Sequence, residues 1–229
     1  MKLSSSILTA CLMWLAPMAL FGQQINWGSS IYDDIVDSEA QVLDQTFIFQ
    51  LGSFGSGFTP GEDNVSEWAA NWEVFDEADY NGIETPADDG IWGYFTSTVN
   101  MEADGTSNSP ALTPGAGSFE GRSAFVWIRN GDDPVEGTEW LLMRADSWIF
   151  PNADPDCCNN DLPLEWSMSD LAFDDVPLWG SQSGVAGSGE FTTTGSHTMQ
   201  TFTFVPEPST ALLVALAGMV AVMRRRRDS

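Results

Sequence analysis

Apolar positions along the chain fall into three regimes. Ile7 to Phe21 is a mostly apolar stretch behind Lys2, and Ala211 to Met223 is a run of 13 residues without a charge. Between these ends the apolar residues come in short runs, each broken by Gly, Pro, Asn or Asp. Thr46 to Leu51 reads as a strand, ended by the glycines from Gly52 onward. Ile91 to Val99 is rich in aromatic and β-favouring residues and reads as another. Ser123 to Arg129 is the most strand-like run, followed by the turn Asn130-Gly131-Asp132-Asp133-Pro134. Glu139 to Ala145 then returns, so that 123–145 reads as a hairpin with a long loop. Ser147 to Phe150 is a further short strand, and the alternating Thr and Phe of Met199 to Phe204 read as the closing one. One helix is expected. Asn64 caps it with Glu67 three residues on, and Trp68, Trp72 and Phe75 then share a face at i, i+4 and i+7.

This pattern predicts a mainly β fold: an antiparallel β-sandwich or jelly roll with one short helix. A signal helix precedes it and a transmembrane helix follows. The expected division is a signal peptide over 1–22, an acidic tryptophan-rich domain over 23–204 and a sorting tail over 205–229. Signal cleavage is expected after Gly22, ahead of Gln23-Gln24; a lipidated Cys11 in Leu8-Thr9-Ala10-Cys11 is the rival reading. Trp92, Trp127, Trp140 and Trp148 lie in or near strand-like runs and are expected in the core. Trp27, Trp166 and Trp179 lie in loop-like sequence and are expected to be more exposed. Trp166 and Trp179 are the candidates for stacking on a sugar.

Charge sharpens the picture of the central domain. Residues 23–204 carry 31 Asp and Glu against three arginines (Arg122, Arg129 and Arg144), a formal charge of −28. Such a surface repels nucleic acid and anionic lipid, so nucleic acid is excluded as a partner class. Solubility outside the cell accounts for the excess; divalent-cation binding is the functional alternative. The turn-rich stretch Asp154 to Asp161 supplies oxygen donors at Asp154, Asp156 and Asp161, which would suit Ca²⁺, although it lacks the spacing and central glycine of an EF-hand. No other cofactor is implied. The adjacent Cys157-Cys158 does not make a disulfide scaffold. His197 is the one histidine, and no Gly-x-Ser-x-Gly elbow accompanies it, so no catalytic residue is assigned and no enzyme is expected. Arg129 and Arg144 each close a strand of the hairpin and are expected to pair with a carboxylate. Recognition of uronates in an acidic polysaccharide is the alternative.

The tail combines three features. Val205-Pro206-Glu207-Pro208-Ser209 is extended by its prolines. Its apolar run forms a helix of roughly 20 Å, short of the roughly 30 Å hydrocarbon core unless Ser209, Thr210 and snorkelling arginines extend it. Arg224, Arg225, Arg226 and Arg227 hold that end in the cytoplasm, which puts the acidic domain outside the inner membrane. In this order the features resemble the PEP-CTERM sorting signal of Gram-negative bacteria, a tail also described as "ice-binding protein C-terminal". The resemblance implies recognition by exosortase. It also implies an inner-membrane-anchored precursor and delivery to the cell surface or exopolysaccharide matrix. It extends over the tail alone and says nothing of ice: the domain has no regular Thr-x-Thr array. Phe125 to Asn130, Gly137 to Leu142 and Val176 to Gly180 resemble bodies of verrucomicrobial PEP-CTERM proteins, a likeness that brings no activity with it. The expected function is therefore a non-catalytic exported surface or matrix protein. A carbohydrate-binding module, with or without Ca²⁺, is the alternative, followed by a polysaccharide-active enzyme.

Overall fold

The computed structural model describes residues 22–29, 34–82, 93–152, 162–168, 177–182, 185–189 and 198–204. The expected signal segment up to Phe21, Trp92, Asp154, Asp156, Asp161, Cys157, Cys158, His197 and everything from Val205 on lie outside the described residues. Among the described residues no helix is long and apolar enough to cross a membrane.

The fold is mainly β, as the hydrophobic pattern predicts. Among the described residues the twelve strands are β1 (Gln23–Gly28), β2 (Asp34–Val36), β3 (Ile48–Phe54), β4 (Trp72–Gly82), β5 (Gly93–Met101), β6 (Phe125–Arg129), β7 (Glu139–Met143), β8 (Leu164–Ser167), β9 (Ser181–Gln182), β10 (Val185–Ala186), β11 (Thr198–Gln200) and β12 (Phe202–Thr203). Eight of them form a curled sheet in the order β12-β7-β6-β3-β4-β5-β1-β8, and four form a smaller sheet in the order β10-β9-β11-β2. Most neighbours are antiparallel. The pairs β1–β8 and β2–β11 are parallel, which departs from the all-antiparallel expectation.

The hairpin forms as predicted, with Val126 opposite Met143 and Arg129 opposite Trp140. Every residue of β6 is buried. Phe125 and Trp127 join one apolar cluster while Val126 and Ile128 join another on the opposite face, so the strand lies between two dry layers. Successive side chains of a strand point to opposite faces, and burial of both faces erases the usual alternation of apolar and polar residues.

The region after the first glycines differs from its prediction. β3 does not end at Gly52 but runs on to Phe54. A side chain at Gly52 would meet the Glu73 carbonyl at 2.4 Å and the Trp72 ring at 2.7 Å. The glycine thus admits the indole rather than breaking the strand. The expected helix shrinks to a 3-10 turn, Glu62–Glu67, followed by the four-residue α1, Trp68–Asn71. Trp72 and Phe75 belong to β4, not to a helix face. Asn64 does work at this turn: its Oδ1 accepts from the Gly61 N–H at 2.9 Å and from Trp68 Nε1 at 2.9 Å.

A bulge explains how β4 serves both layers. Leu51 pairs with Asp76 and Gly52 with Val74, leaving Phe75 as the extra residue. Trp72 and Val74 face the tryptophan layer, while Phe75 and Asp76 both turn to the other face. Bulges place consecutive side chains on one side in this way. The small sheet covers that second face, contributing Ile35 and Met199 to its core. Glu139 ties the sheets together, accepting from Ser38 Oγ at 2.7 Å and Thr201 Oγ1 at 2.6 Å. Met199 to Phe204, expected as one closing strand, divides at Thr201: β11 joins the small sheet and β12 the large one.

Candidate functional site

The three tryptophans expected in exposed loops are all buried. Trp27 lies in β1, and its Nε1 donates to Asp76 Oδ2 at 2.7 Å inside the core. Trp166 stands beside it in β8, stacked on Trp148 at 6.1 Å between centroids. Trp179 donates from Nε1 to the Phe202 carbonyl at 2.9 Å and is only 7% exposed. The expected exposure of Trp27, Trp166 and Trp179 is therefore corrected, and Trp166 and Trp179 offer no open face for a sugar. Each packs inward because an indole carries more apolar area into the core than any other side chain. Trp127, Trp140 and Trp148 are core residues as predicted.

The three arginines each meet a carboxylate: Arg122–Glu73 at 2.6 Å, Arg129–Asp132 at 2.7 Å and Arg144–Asp146 at 3.1 Å. The pairing expected of Arg129 and Arg144 holds. Their surroundings separate them. Arg129 is buried, with Nη1 donating to Gln50 Oε1 at 2.8 Å and its guanidinium 4.2 Å from the Trp127 ring centroid. Gln50 Oε1 also accepts from Trp72 Nε1 at 3.0 Å, and Gln50 Nε2 donates to Glu77 at 2.8 Å. Burial pushes the Arg129 pKa down, against the Asp132 and Glu77 carboxylates that hold it up. Arg129 is thus spent on the fold.

Arg144 is different. Together with Arg122 it borders an open groove of about 250 Å³ between the end of β3, the loop 55–60 and the start of β6. Phe54, Phe58 and Phe125 supply apolar walls; Ser53, Ser56, Thr59 and Ser123 also line it. The side chain of Arg144 is 44% exposed and that of its partner Asp146 is 87% exposed, so the pair can exchange with a competing anion. Arg122 is held more firmly, by Glu73 and by the Phe54 carbonyl, which accepts from Nη2 at 2.8 Å. Among the described residues no carboxylate or histidine lines the groove. Sequence reasoning passed over Arg122, although its rarity in an acidic domain was a usable signal.

A second, shallower cleft of about 170 Å³ lies where β1 meets β8, between Asn26, Ser29, Thr96 and Glu165, with the edges of Trp27 and Trp166 at its base. Asn26 Nδ2 already donates to Glu165 Oε1 at 2.7 Å there. Among the described residues no three His, Cys, Asp or Glu side chains are placed to share a metal ion.

The third site is the end of the domain. Phe202 is fully buried and pairs with Trp140. Phe204 donates its N–H to the Thr138 carbonyl at 2.7 Å, and its half-buried ring stacks on Trp179 at 5.5 Å. Residues 204–227 match the family model of the PEP-CTERM protein-sorting motif. The chain therefore carries a PEP-CTERM sorting motif, the feature of an exported precursor handled by exosortase-type sorting. No curated protein and no solved structure matches the chain.

Proposed function

We propose that this is a non-catalytic exported protein, delivered by its tail to the cell surface or exopolysaccharide matrix, with the acidic β-domain as its displayed part. The observation that carries the reading is the sorting motif, whose match begins at Phe204, the last described residue, packed on Trp179. The disposition of the buried polar groups supports the non-catalytic part. Asp76 is engaged by Trp27, Arg129 by Gln50 and Asp132, and Glu139 by Ser38 and Thr201, all of them bonds that hold the fold. The test is truncation after Phe204 followed by cell fractionation. The truncated domain is expected in the medium or periplasm; unchanged surface retention contradicts the reading.

The groove bordered by Arg122 and Arg144 favours a second reading, a carbohydrate-binding module for uronate-bearing glycans. Arginine matches a carboxylate through two parallel N–H···O bonds, and Phe58 also lines the groove. A glycan array with and without chelator tests it, using wild type and Arg144→Gln. Binding of uronate oligomers that the substitution abolishes is expected, and absence of binding in both conditions counts against it.

A further inference from the structure

The closed end of the β6–β7 hairpin is a built loop with an apolar tip. Trp140 Nε1 donates to the Gly131 carbonyl at 2.8 Å, Arg129 Nε to Asp132 at 2.7 Å, and the Thr138 N–H to the Val135 carbonyl at 3.0 Å. These bonds leave Val135 53% exposed, with Asp133 and Glu136 exposed on either side of it. A loop fixed in advance loses little freedom when it is bound. The open end of the same hairpin carries the opposite pattern. There Phe54, Phe58 and Phe125 wall the groove, and Arg122 and Arg144 border it. These are two of the three cations in residues 23–204. One end thus offers an apolar residue between two anions, and the other an apolar recess beside two cations. The five-residue strands β6 and β7 hold the two ends roughly 16 Å apart, so the loop of one molecule cannot fill its own groove.

We propose that the groove receives the 133–136 loop of a second copy of this chain, with Val135 against the phenylalanines and the two carboxylates at Arg144 and Arg122. Arg144 is the freer of the two cations, because its partner Asp146 is an exposed side chain that another carboxylate can replace. The two surfaces differ and lie at opposite ends of one hairpin. The contact is therefore heterologous and builds chains or rings of copies rather than two-fold pairs. The formal charge of −28 over residues 23–204 opposes it at long range. At about 0.15 M salt that repulsion is screened beyond roughly 8 Å while the short contact in the groove survives; at about 1 M the screening length of roughly 3 Å weakens the contact itself. A uronate uses the same carboxylate chemistry, so uronate oligomers compete with the loop for the groove.

Photo-crosslinking of the full chain in detergent tests this, with Val135→p-benzoylphenylalanine as the probe and mixed light and heavy isotopic copies to identify links between molecules. A covalent dimer is expected, its linked peptides joining residue 135 of one copy to residues 53–60 or 122–125 of the other. The link should be lost on Arg144→Glu, and lost independently from the other surface when Asp133→Asn is combined with Glu136→Gln. Links that map elsewhere on the domain, a dimer that these substitutions leave unchanged, or no dimer at any salt concentration overturns the proposal. The reciprocal probe, Phe58→p-benzoylphenylalanine in the native host, should capture residues 132–137 of another copy. Capture of a different protein there, or uronate binding in the groove with no link between copies, gives the groove another occupant and overturns the proposal. Neither result touches the sorting reading, which cell fractionation tests separately.

Discussion

The two faces of the eight-stranded sheet are equally dry and differently made. One is covered by the small sheet and filled with Ile25, Leu51, Val126, Ile128 and Leu141 around the phenylalanines Phe49, Phe75 and Phe95. The other is a tryptophan layer: Trp68, Trp72, Trp127, Trp140 and Trp179 with Phe54, Phe125 and Phe202, closed by α1 and its 3-10 turn. Trp127 meets Trp72 at 5.4 Å and Trp140 at 5.2 Å, both edge to face. Such pairs contribute about 0.5–1.5 kcal/mol each beyond their buried area. Among the described residues the first face holds the contact of Trp27 with Asp76 and leaves the Tyr80 hydroxyl without a partner; the second carries the chain Trp72–Gln50–Arg129–Asp132 and leaves Trp127 Nε1 without one. The lesson is that a layer of indoles fills space with few side chains but brings donors that the core must then satisfy.

Substitutions at the centre of each layer should have the largest effect. Trp127→Ala and Phe49→Ala are each expected to cost about 3–5 kcal/mol in denaturant unfolding. Trp127→Phe should cost under about 1.5 kcal/mol, because it keeps a ring and removes the unpartnered donor. If Trp127→Phe is as damaging as Trp127→Ala, the indole donor has a role the geometry does not give it. The polar contacts come next. Gln50→Ala removes the acceptor of both Trp72 and Arg129, and Asp76→Ala that of Trp27 alone, so each should cost about 1–3 kcal/mol with Gln50→Ala the larger. The reverse order would mean that the second layer tolerates unpaired donors.

The smallest effects lie off both faces, at two matching turns. Asp44 accepts from the Thr46 hydroxyl and N–H, and Asp104 from those of Thr106; these bonds hold both carboxyls below the usual range. A carboxyl whose pKa is depressed on folding contributes stability above its unfolded pKa. The contribution is lost as pH falls through the folded value. Thr46→Ala and Thr106→Ala should therefore move the Asp44 and Asp104 titrations up toward ordinary values by NMR and slightly flatten the acid-side loss of stability. An unmoved titration would assign the depression to another cause.

The hairpin β6–β7 was legible because aromatic and β-branched residues are concentrated there and a Gly-Asp-Asp-Pro stretch separates the two runs. β4 was not, because Trp68, Trp72 and Phe75 mimic a helical stripe. The bulge at Phe75, which swaps the faces of the strand, leaves no mark in a period-two pattern. β1 was missed because Gln23, Gln24 and Asn26 dilute its apolar residues. The exposure of Trp166 and Trp179 was misjudged for a related reason: short strands and bridges amid turn residues look like loops, yet their single large side chain decides where they pack. The groove depends on the end of β3 and the loop 55–60 meeting the open end of the hairpin beside Arg122 and Arg144, a juxtaposition no local window contains. The sorting motif was legible, since its features are consecutive in the chain and read from composition rather than from a fold; the family model matches residues 204–227.

The central claim is that the tail alone sets the destination and the two-layered domain only what is displayed there. Transplanting residues 205–229 onto the C-terminus of an unrelated exported β-domain in the same host, and comparing cell fractions with those of the native chain, tests it most directly. The account predicts that the fusion is processed and reaches the same fraction as the native protein. A fusion that stays in the inner membrane uncut, while the native chain is processed normally, would contradict it.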